Sequence, residues 1–411
     1  MNHAYRHVVT EREQARYRAA APAAPAGAAG ASGSQGQPAQ PVAAPFRAGT
    51  FRTLSSDGYQ VSQTPGTTAV QLAPYTPSPN AFIRGIWIQS TCTTSGNSAA
   101  TAFQPDAPPI AYQSITFQDA NEKPIVGPFD GYTLLVVNKF GGYLNLGDPR
   151  ANAVYSVTTS TGATGGSWVM VLYVPLEVVA RDTLGALQNK SSSSSFQLLL
   201  TINTSANIYS TAPTTLAPIV TTCFEDGWVQ PKATDLSGTP LSQQPPQLGT
   251  TQYWTRGSYN ALNGAQQVQL TQGLGYPIRN FVAINYDVSA GTRATGDTDF
   301  PTTTQFIFRG TSMWNVSKTL WKQQMSAAFD YYSTTADAAN GLENGVYVLW
   351  FDQDFSEAPG GELRNGYLAS QQGDQFQVIA SWNGNSNLYW VANYVAPAAG
   401  ATNLASIRAG R

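Results

Sequence analysis

Gly166–Asn203 reads GSWVMVLYVPLEVVARDTLGALQNKSSSSSFQLLLTIN. Two apolar runs, Trp168–Val174 and Phe196–Ile202, flank a connection that ends in the polar loop Lys190–Ser195. Short runs of this kind, bounded by turn residues, predict buried strands. Pro175 ends the first ladder, because proline has no N–H to donate. Val178–Leu187 can form a short helix, and this insertion is a candidate surface for meeting another domain or subunit. Leu184 and Leu187 are its interface candidates, expected to be buried against protein. The same order returns near the C-terminus, with GVYVLWFDQDF from Gly345 and FQVIASWN from Phe376. Two β units with matching strand–connection–strand cores organise the chain.

The 411 residues suffice for two or three domains. Charged residues make up 11%, well under the roughly 25% usual in soluble domains. Hydrophobic residues make up 42% and aromatic residues 11%, so a core can form. A surface poor in charge suits a protein covered by copies of itself, since interface cores are depleted in Lys, Glu and Asp. The net charge of −2 lacks the basic footprint of a nucleic-acid binder. Cys92 and Cys223 show no metal or CxxC spacing, and two buried free thiols are expected. The N-terminus shows no apolar signal segment, so synthesis in a cytoplasm is expected.

Residues 1–48 form a basic arm, MNHAYRHVVTEREQARYR, followed by an Ala/Pro/Gly linker too poor in apolar residues to pack. Arg6, Arg12, Arg16 and Arg18 are the arm's candidate contacts with a neighbouring subunit or an anionic membrane surface. From Ala69, short runs such as FIRGIWIQS and SITFQD alternate with Gly, Pro and Asn/Asp clusters. Tyr132–Phe140 is readable as strand or helix. A strand around Ala217–Val229 closes the first block. Ser312–Asp330 predicts a helix capped by Thr311 or Ser312, with Trp314, Trp321, Met325 and Phe329 on one core face and Leu320 beside them. The expected fold is all-β, two tandem jelly-roll β-sandwiches with short helical insertions and an N-terminal arm. The expected boundaries are arm and linker 1–48, first jelly roll 49–235, connection 236–252, second jelly roll 253–397 and tail 398–411.

The chain's two histidines, His3 and His7, precede the linker, so the β body has none for a triad or a metal site. The sequence has no GxSxG, GxGxxG or GxxxxGK[ST] pattern. Asp352, Asp354 and Glu357 leave a strand end together and are the one carboxylate cluster suited to a glycosidase or a Ca²⁺ site. Acids at a strand exit more often serve turns. Non-enzymatic function without metal or cofactor is therefore expected. The sequons at Asn189, Asn203 and Asn315 matter only in a secretory pathway.

Several segments resemble the double jelly-roll major capsid proteins of tectivirus-like, membrane-containing icosahedral bacteriophages. They are Tyr173–Val174–Pro175–Leu176 with Asp182–Thr183–Leu184–Gly185–Ala186 and the strand ending at Asn203, then Phe82–Ile83–Arg84–Gly85, Cys223–Phe224–Glu225, and the helix around Trp321 followed by Gly345–Val346–Tyr347. Their order, from about residue 50 to residue 396, carries the likeness. The long linker and Pro231–Gln252 depart from the family's pattern. The resemblance implies a homotrimer with six jelly rolls, a pseudo-hexagonal capsomer tiling an icosahedral shell, and an arm lying towards an inner viral membrane. It also implies a virion location, with other copies, minor capsid proteins and vertex proteins as partners. No sequence-specific nucleic-acid contact is expected, because no basic patch is interleaved with aromatics in the β body. The alternatives are a β-rich carbohydrate-binding or tail/adhesin-type protein, and a secreted polysaccharide-active enzyme.

Overall fold

In a computed structural model, residues 46–79, 81–143, 156–158, 162–178, 183–191, 195–244, 250–287, 292–293, 300–329, 345–352 and 366–397 are described. The apolar runs become strands. In chain order the first set is β1 (Arg52–Ser55), β2 (Gln60–Gln63), β3 (Val70–Gln71), β4 (Phe82–Cys92), β5 (Ala102–Phe103), β6 (Tyr112–Gln118), β7 (Pro124–Phe129), β8 (Ser156–Val157), β9 (Trp168–Pro175), β10 (Leu187–Gln188), β11 (Gln197–Ile202), β12 (Tyr209–Thr211) and β13 (Ile219–Trp228). One layer has the order β1-β13-β4-β9-β8, with β2 on β13 and β10 on β4. The other runs β7-β6-β11-β3. Inward residues of the two layers, among them Ile86, Ile88, Phe117, Leu172 and Leu198, are fully buried in one core. This is a jelly roll.

The second set is β14 (Thr250–Leu270), β15 (Pro277–Asp287), β16 (Thr292–Arg293), β17 (Thr303–Phe308), β18 (Thr311–Ser317), β19 (Val346–Trp350), β20 (Leu368–Ala369) and β21 (Phe376–Pro397). β14 and β21 pair antiparallel over their lengths, with register shifts between Tyr259 and Gly264. Beyond those shifts β21 changes partner: Leu388–Tyr394 pairs with β15, and Phe376–Ala380 pairs with β17. The two long strands thus serve both layers of a second jelly roll.

The strand–connection–strand repeat is a repeat of topology. β9 and β10 both pair with β4, while β11 pairs with β6. In the second half β19 and β20 both pair with β15, and the start of β21 pairs with β17. Each half also carries one principal helix after the equivalent strand, Gly131–Phe140 after β7 and Lys318–Phe329 after β18. The stretch readable either way is therefore helical. Asp130 caps that helix, accepting from the Thr133 N–H at 2.7 Å.

Both helices satisfy the outer edge of a strand. The Asn138 amide donates to the Tyr173 carbonyl at 2.5 Å and accepts from the Tyr173 N–H at 2.8 Å. At the matching place in the second half, the Trp321 indole donates to the Val348 carbonyl at 2.7 Å, and the Val348 N–H points to Met325 Sδ at 3.4 Å. A buried backbone group without a partner is costly, and an uncovered edge invites aggregation.

Two expectations are corrected. Ser312–Asp330 is not one helix, since Thr311–Ser317 is β18, paired with β17. The aromatic spacing suits either structure: Trp314, on the strand, still reaches Trp321 at 6.2 Å. Pairing here satisfies the backbone groups on the edge of β17, which an extra helical turn, bonded only within itself, would leave open. Ser317, rather than Thr311 or Ser312, caps the helix, through the Leu320 N–H at 3.2 Å, and Leu320 is exposed. The second correction concerns Val178–Leu187: residues 179–182 lie outside the described residues, and the described Val178 and Thr183–Leu187 are not helical. The Val178 N–H donates to the Leu184 carbonyl at 2.7 Å, and Leu187 pairs with Ile83. Thr183 and Gly185 have φ of 61° and 87°, outside the helical region. At Gly185 an added Cβ would lie 2.9 Å from Val178 Cγ2.

Asp130 also meets Arg256 of β14 at 3.1 Å. Asp130→Ala is expected to cost about 0.5–2 kcal/mol through the cap alone, seen as a lower urea midpoint. Cys92 and Cys223 are buried and free, and burial pushes both thiols above their ordinary pKa. Since the thiolate is the reactive form, neither should react with a thiol reagent at mildly alkaline pH until guanidinium unfolds the chain. Rapid native labelling would contradict this.

Candidate functional site

Phe82–Cys92 is one strand whose first half, Phe82–Ile88, is apolar but for Arg84. The ladder passes over that residue: Ile83 pairs with Gly227 and Gly85 with Asp226, leaving Arg84 at a bulge. Gly85 is required there because a Cβ would lie 2.2 Å from the Tyr173 ring. The Arg84 guanidinium binds Glu177 Oε2 at 2.6 Å and Asp226 Oδ1 at 3.1 Å, and it lies 4.7 Å from the Trp228 ring centroid. Arg52 from β1 grips the same Asp226 with two bonds of 2.7 Å. The Trp228 indole donates to Glu177 Oε1 at 2.8 Å. Burial pushes the Glu177 carboxyl above its usual pKa, against the pull of Arg84 and Trp228. Burial also depresses Arg84, but Glu177 and Asp226 outweigh it and hold the guanidinium above its ordinary value.

The second half repeats this cluster position for position. Ile278 pairs with Tyr394 and Asn280 with Asn393, so Arg279 is the residue passed over. Gly85 faces Pro175, and Asn280 faces Trp350; Glu177 and Asp352 each lie two residues beyond those partners. Arg52 faces Trp228, and Gln252 faces Val395; Asp226 and Asn393 each lie two residues before those partners. Arg52, Arg84, Glu177 and Asp226 therefore correspond to Gln252, Arg279, Asp352 and Asn393. Arg279, only 2% exposed, binds Asp352 at 3.2 Å and Gln252 at 3.1 Å, and it also donates to Asn393. Asn280 donates to Asp352 Oδ2 at 3.3 Å. Burying a charge is tolerable only with such partners.

The second cluster also joins the halves. Gln252 Nε2 donates to the Glu177 carbonyl at 3.2 Å and to Tyr143 Oη at 2.8 Å, while Tyr143 Oη donates to Gln252 Oε1 at 3.1 Å. Glu177 thus touches Arg84 with its carboxylate and Gln252 with its backbone. Around this node, β7 and β14 form a parallel bridge at Val126 and Trp254. Asp130 holds Arg256, Phe140 meets Phe329 edge to face at 5.2 Å, and Val178 and Leu184 bury Val395. The site is a joint between two jelly rolls.

The residues singled out from the sequence are distributed as follows. Leu184 and Leu187 are 4% and 8% exposed, and both are filled by contacts within the chain: Leu184 with Val395, Leu187 in the first core. Arg6, Arg12, Arg16 and Arg18 lie outside the described residues, as do Asp354 and Glu357. Asp352 is buried and committed to Arg279, so it is not a solvent-facing acid. Asn189 and Asn203 are buried, and their amides bond to the Ser78 and Ile110 carbonyls at 2.9 and 3.0 Å. Among the described residues no cluster of His, Cys, Asp and Glu could hold a metal ion. Sequence reading missed Gln252, Arg279 and the role of Glu177. The available signal was the pair Ile83–Arg84–Gly85 and Ile278–Arg279–Asn280, each an arginine inside an apolar strand.

By sequence, no family description and no curated protein matches the chain. By structure, the chain is similar to proteins in the atomic structure of Sulfolobus turreted icosahedral virus, with TM-score 0.55 and 14% identity over 88% of this chain and 95% of that one. It is similar to the major capsid protein P2 of bacteriophage PM2, with TM-score 0.50 and 7% identity over 85% and 99%. It is also similar to the PBCV-1 virus capsid, with TM-score 0.52 and 11% identity over 84% and 94%. At these identities the likeness establishes a fold, two jelly rolls in tandem, along nearly the whole of each chain.

Removing one partner from a buried ion pair costs about 3–5 kcal/mol. Arg279→Ala is expected to lose an amount of that order in urea unfolding, and Arg279→Ala with Asp352→Ala to recover part of it. A double variant as unstable as the sum of both single variants would contradict the pairing.

Proposed function

We propose that this chain is a major capsid protein whose copies assemble into an icosahedral shell. The observation that carries the reading is the doubled jelly roll welded by its own β-pairing, in the tandem arrangement of the viral capsid proteins named above. Two similar rolls per chain let three chains make a six-sided block, and six-sided blocks tile a surface. The site supports a structural role, because its buried charges are paired with one another and with neutral amides.

The finer reading places the chain in a tectivirus-like bacteriophage, as a homotrimeric capsomer over an internal membrane. Its other partners are minor capsid and vertex proteins. The basic arm supplies Arg6, Arg12, Arg16 and Arg18 for anionic headgroups, each worth about 1 kcal/mol near such a surface.

Light scattering of purified protein should give three times the 43.8 kDa chain mass. A stable monomer with saturable glycan binding would instead identify a carbohydrate-binding protein. Deleting Met1–Arg18 should leave the trimer folded and weaken its binding to anionic vesicles and its assembly into particles. Normal particles from that deletion would remove the arm from the account.

A further inference from the structure

The internal repeat pairs each element of the joint with a counterpart elsewhere in the chain. β7 has its outer edge covered by β14, and its burial is correspondingly high. β18 is the counterpart of β7. In β6 and β17 the register shifts directly after Phe117 and Phe306, both fully buried, and those two residues face Val126 and Trp314. Val126 and Trp314 therefore hold the same place. Among the described residues β18 pairs with β17 alone, and most of it is exposed, including Met313 at 41%.

The other side of the joint has a counterpart too. Trp254 faces Asn393 in the second roll, and Leu54 faces Asp226 in the first. Trp254 is fully buried; Leu54 is 58% exposed and nearby Phe51 is 66% exposed. Among the described residues β1 pairs with β13 alone. Among the described residues the row of rolls thus ends on each side in an edge with no further strand on it, one carrying the exposed Met313 and the half-buried Trp314, the other Leu54 and Phe51. Uncovered edges with apolar side chains are a template for another strand. The ion pair of the joint has a muted counterpart: Ser317 and Ser56 stand in place of Asp130 and Arg256, with Lys318 beside the one and Asp57 beside the other.

From this we infer that β18 of one chain docks on β1 of a second copy, with Trp314 facing Leu54 as Val126 faces Trp254 within the chain. The contact is head to tail, so each copy uses one edge as donor and the other as acceptor, and the ring closes when the last copy meets the first. The inference rests on the self-assembly proposed above and adds the strands and side chains that meet.

The test is a disulfide that only two chains can form. Leu54→Cys and Trp314→Cys are placed in separate chains, co-expressed and oxidised; the native thiols are buried. A covalent dimer containing one of each variant is expected, absent from either variant alone and lost on reduction. Met313→Cys with Thr53→Cys, the adjacent pair in the same parallel register and on the opposite face of the strands, repeats the experiment at an exposed methionine without disturbing the core. Light scattering on the same samples separates the outcomes. A trimer without the mixed disulfide from either partner overturns this contact and leaves the capsid reading standing, whereas a monomer overturns both. Leu54→Asp should keep the far-ultraviolet circular dichroism of the native chain and weaken trimer association at least about tenfold, or about 1.4 kcal/mol; an unchanged trimer contradicts the proposal.

Discussion

A guanidinium buried at a strand bulge is the constraint on which this structure depends, and it occurs twice. Arg84 and Arg279 are each the residue that the ladder to the neighbouring strand passes over. At each, the strand changes its other partner, β9 to β10 in the first half and β19 to β20 in the second. A bulge frees one side chain from the alternation of the strand and lets it turn across the end of the sheet. An arginine there must be paired on several sides, because the desolvated charge is otherwise prohibitive. Four strands or strand exits answer that demand in each roll. A one-residue slip of any ladder would separate the guanidinium from its carboxylate, so the cluster pins the register.

The two copies have diverged in a way that suits their positions. The first cluster has two arginines and two acids, and Arg52 is half exposed. The second replaces Arg52 and Asp226 by Gln252 and Asn393, leaving one arginine with one acid. That substitution removes one charge of each sign from a place that a second roll covers. Amides can donate and accept at once, so Gln252 binds the Glu177 carbonyl, Tyr143 and Arg279 together. Neutral, two-way groups are the economical choice where a polar node must be dry.

Much of this was legible in the residues. The runs at Trp168–Val174 and Phe196–Ile202, and their later copies, are strands because length, β-branched content and Pro175 leave little else. The joint was not legible, since Gln252 sits beside a Pro/Ser/Gln-rich connection and its role exists only once Val395 and Trp228 are known to be equivalent. Asp352 read as turn chemistry because its partner, Arg279, lies far away in sequence. Helical spacing misled at Trp314, where an aromatic at the right interval belongs to the strand that precedes the helix. Thr183 and Gly185 have positive φ, which composition does not reveal and which keeps the described end of that stretch out of a helix.

One chain presents two equivalent rolls, and we propose that the joint between them is repeated from chain to chain. Electron cryomicroscopy of the assembled shell tests it most directly. Capsomers of three chains are expected, in which six similar β-sandwiches alternate first roll and second roll around a closed ring and β18 of each chain lies on β1 of the next. Capsomers of another chain number, or junctions between chains that leave β18 and β1 uncovered, would contradict it.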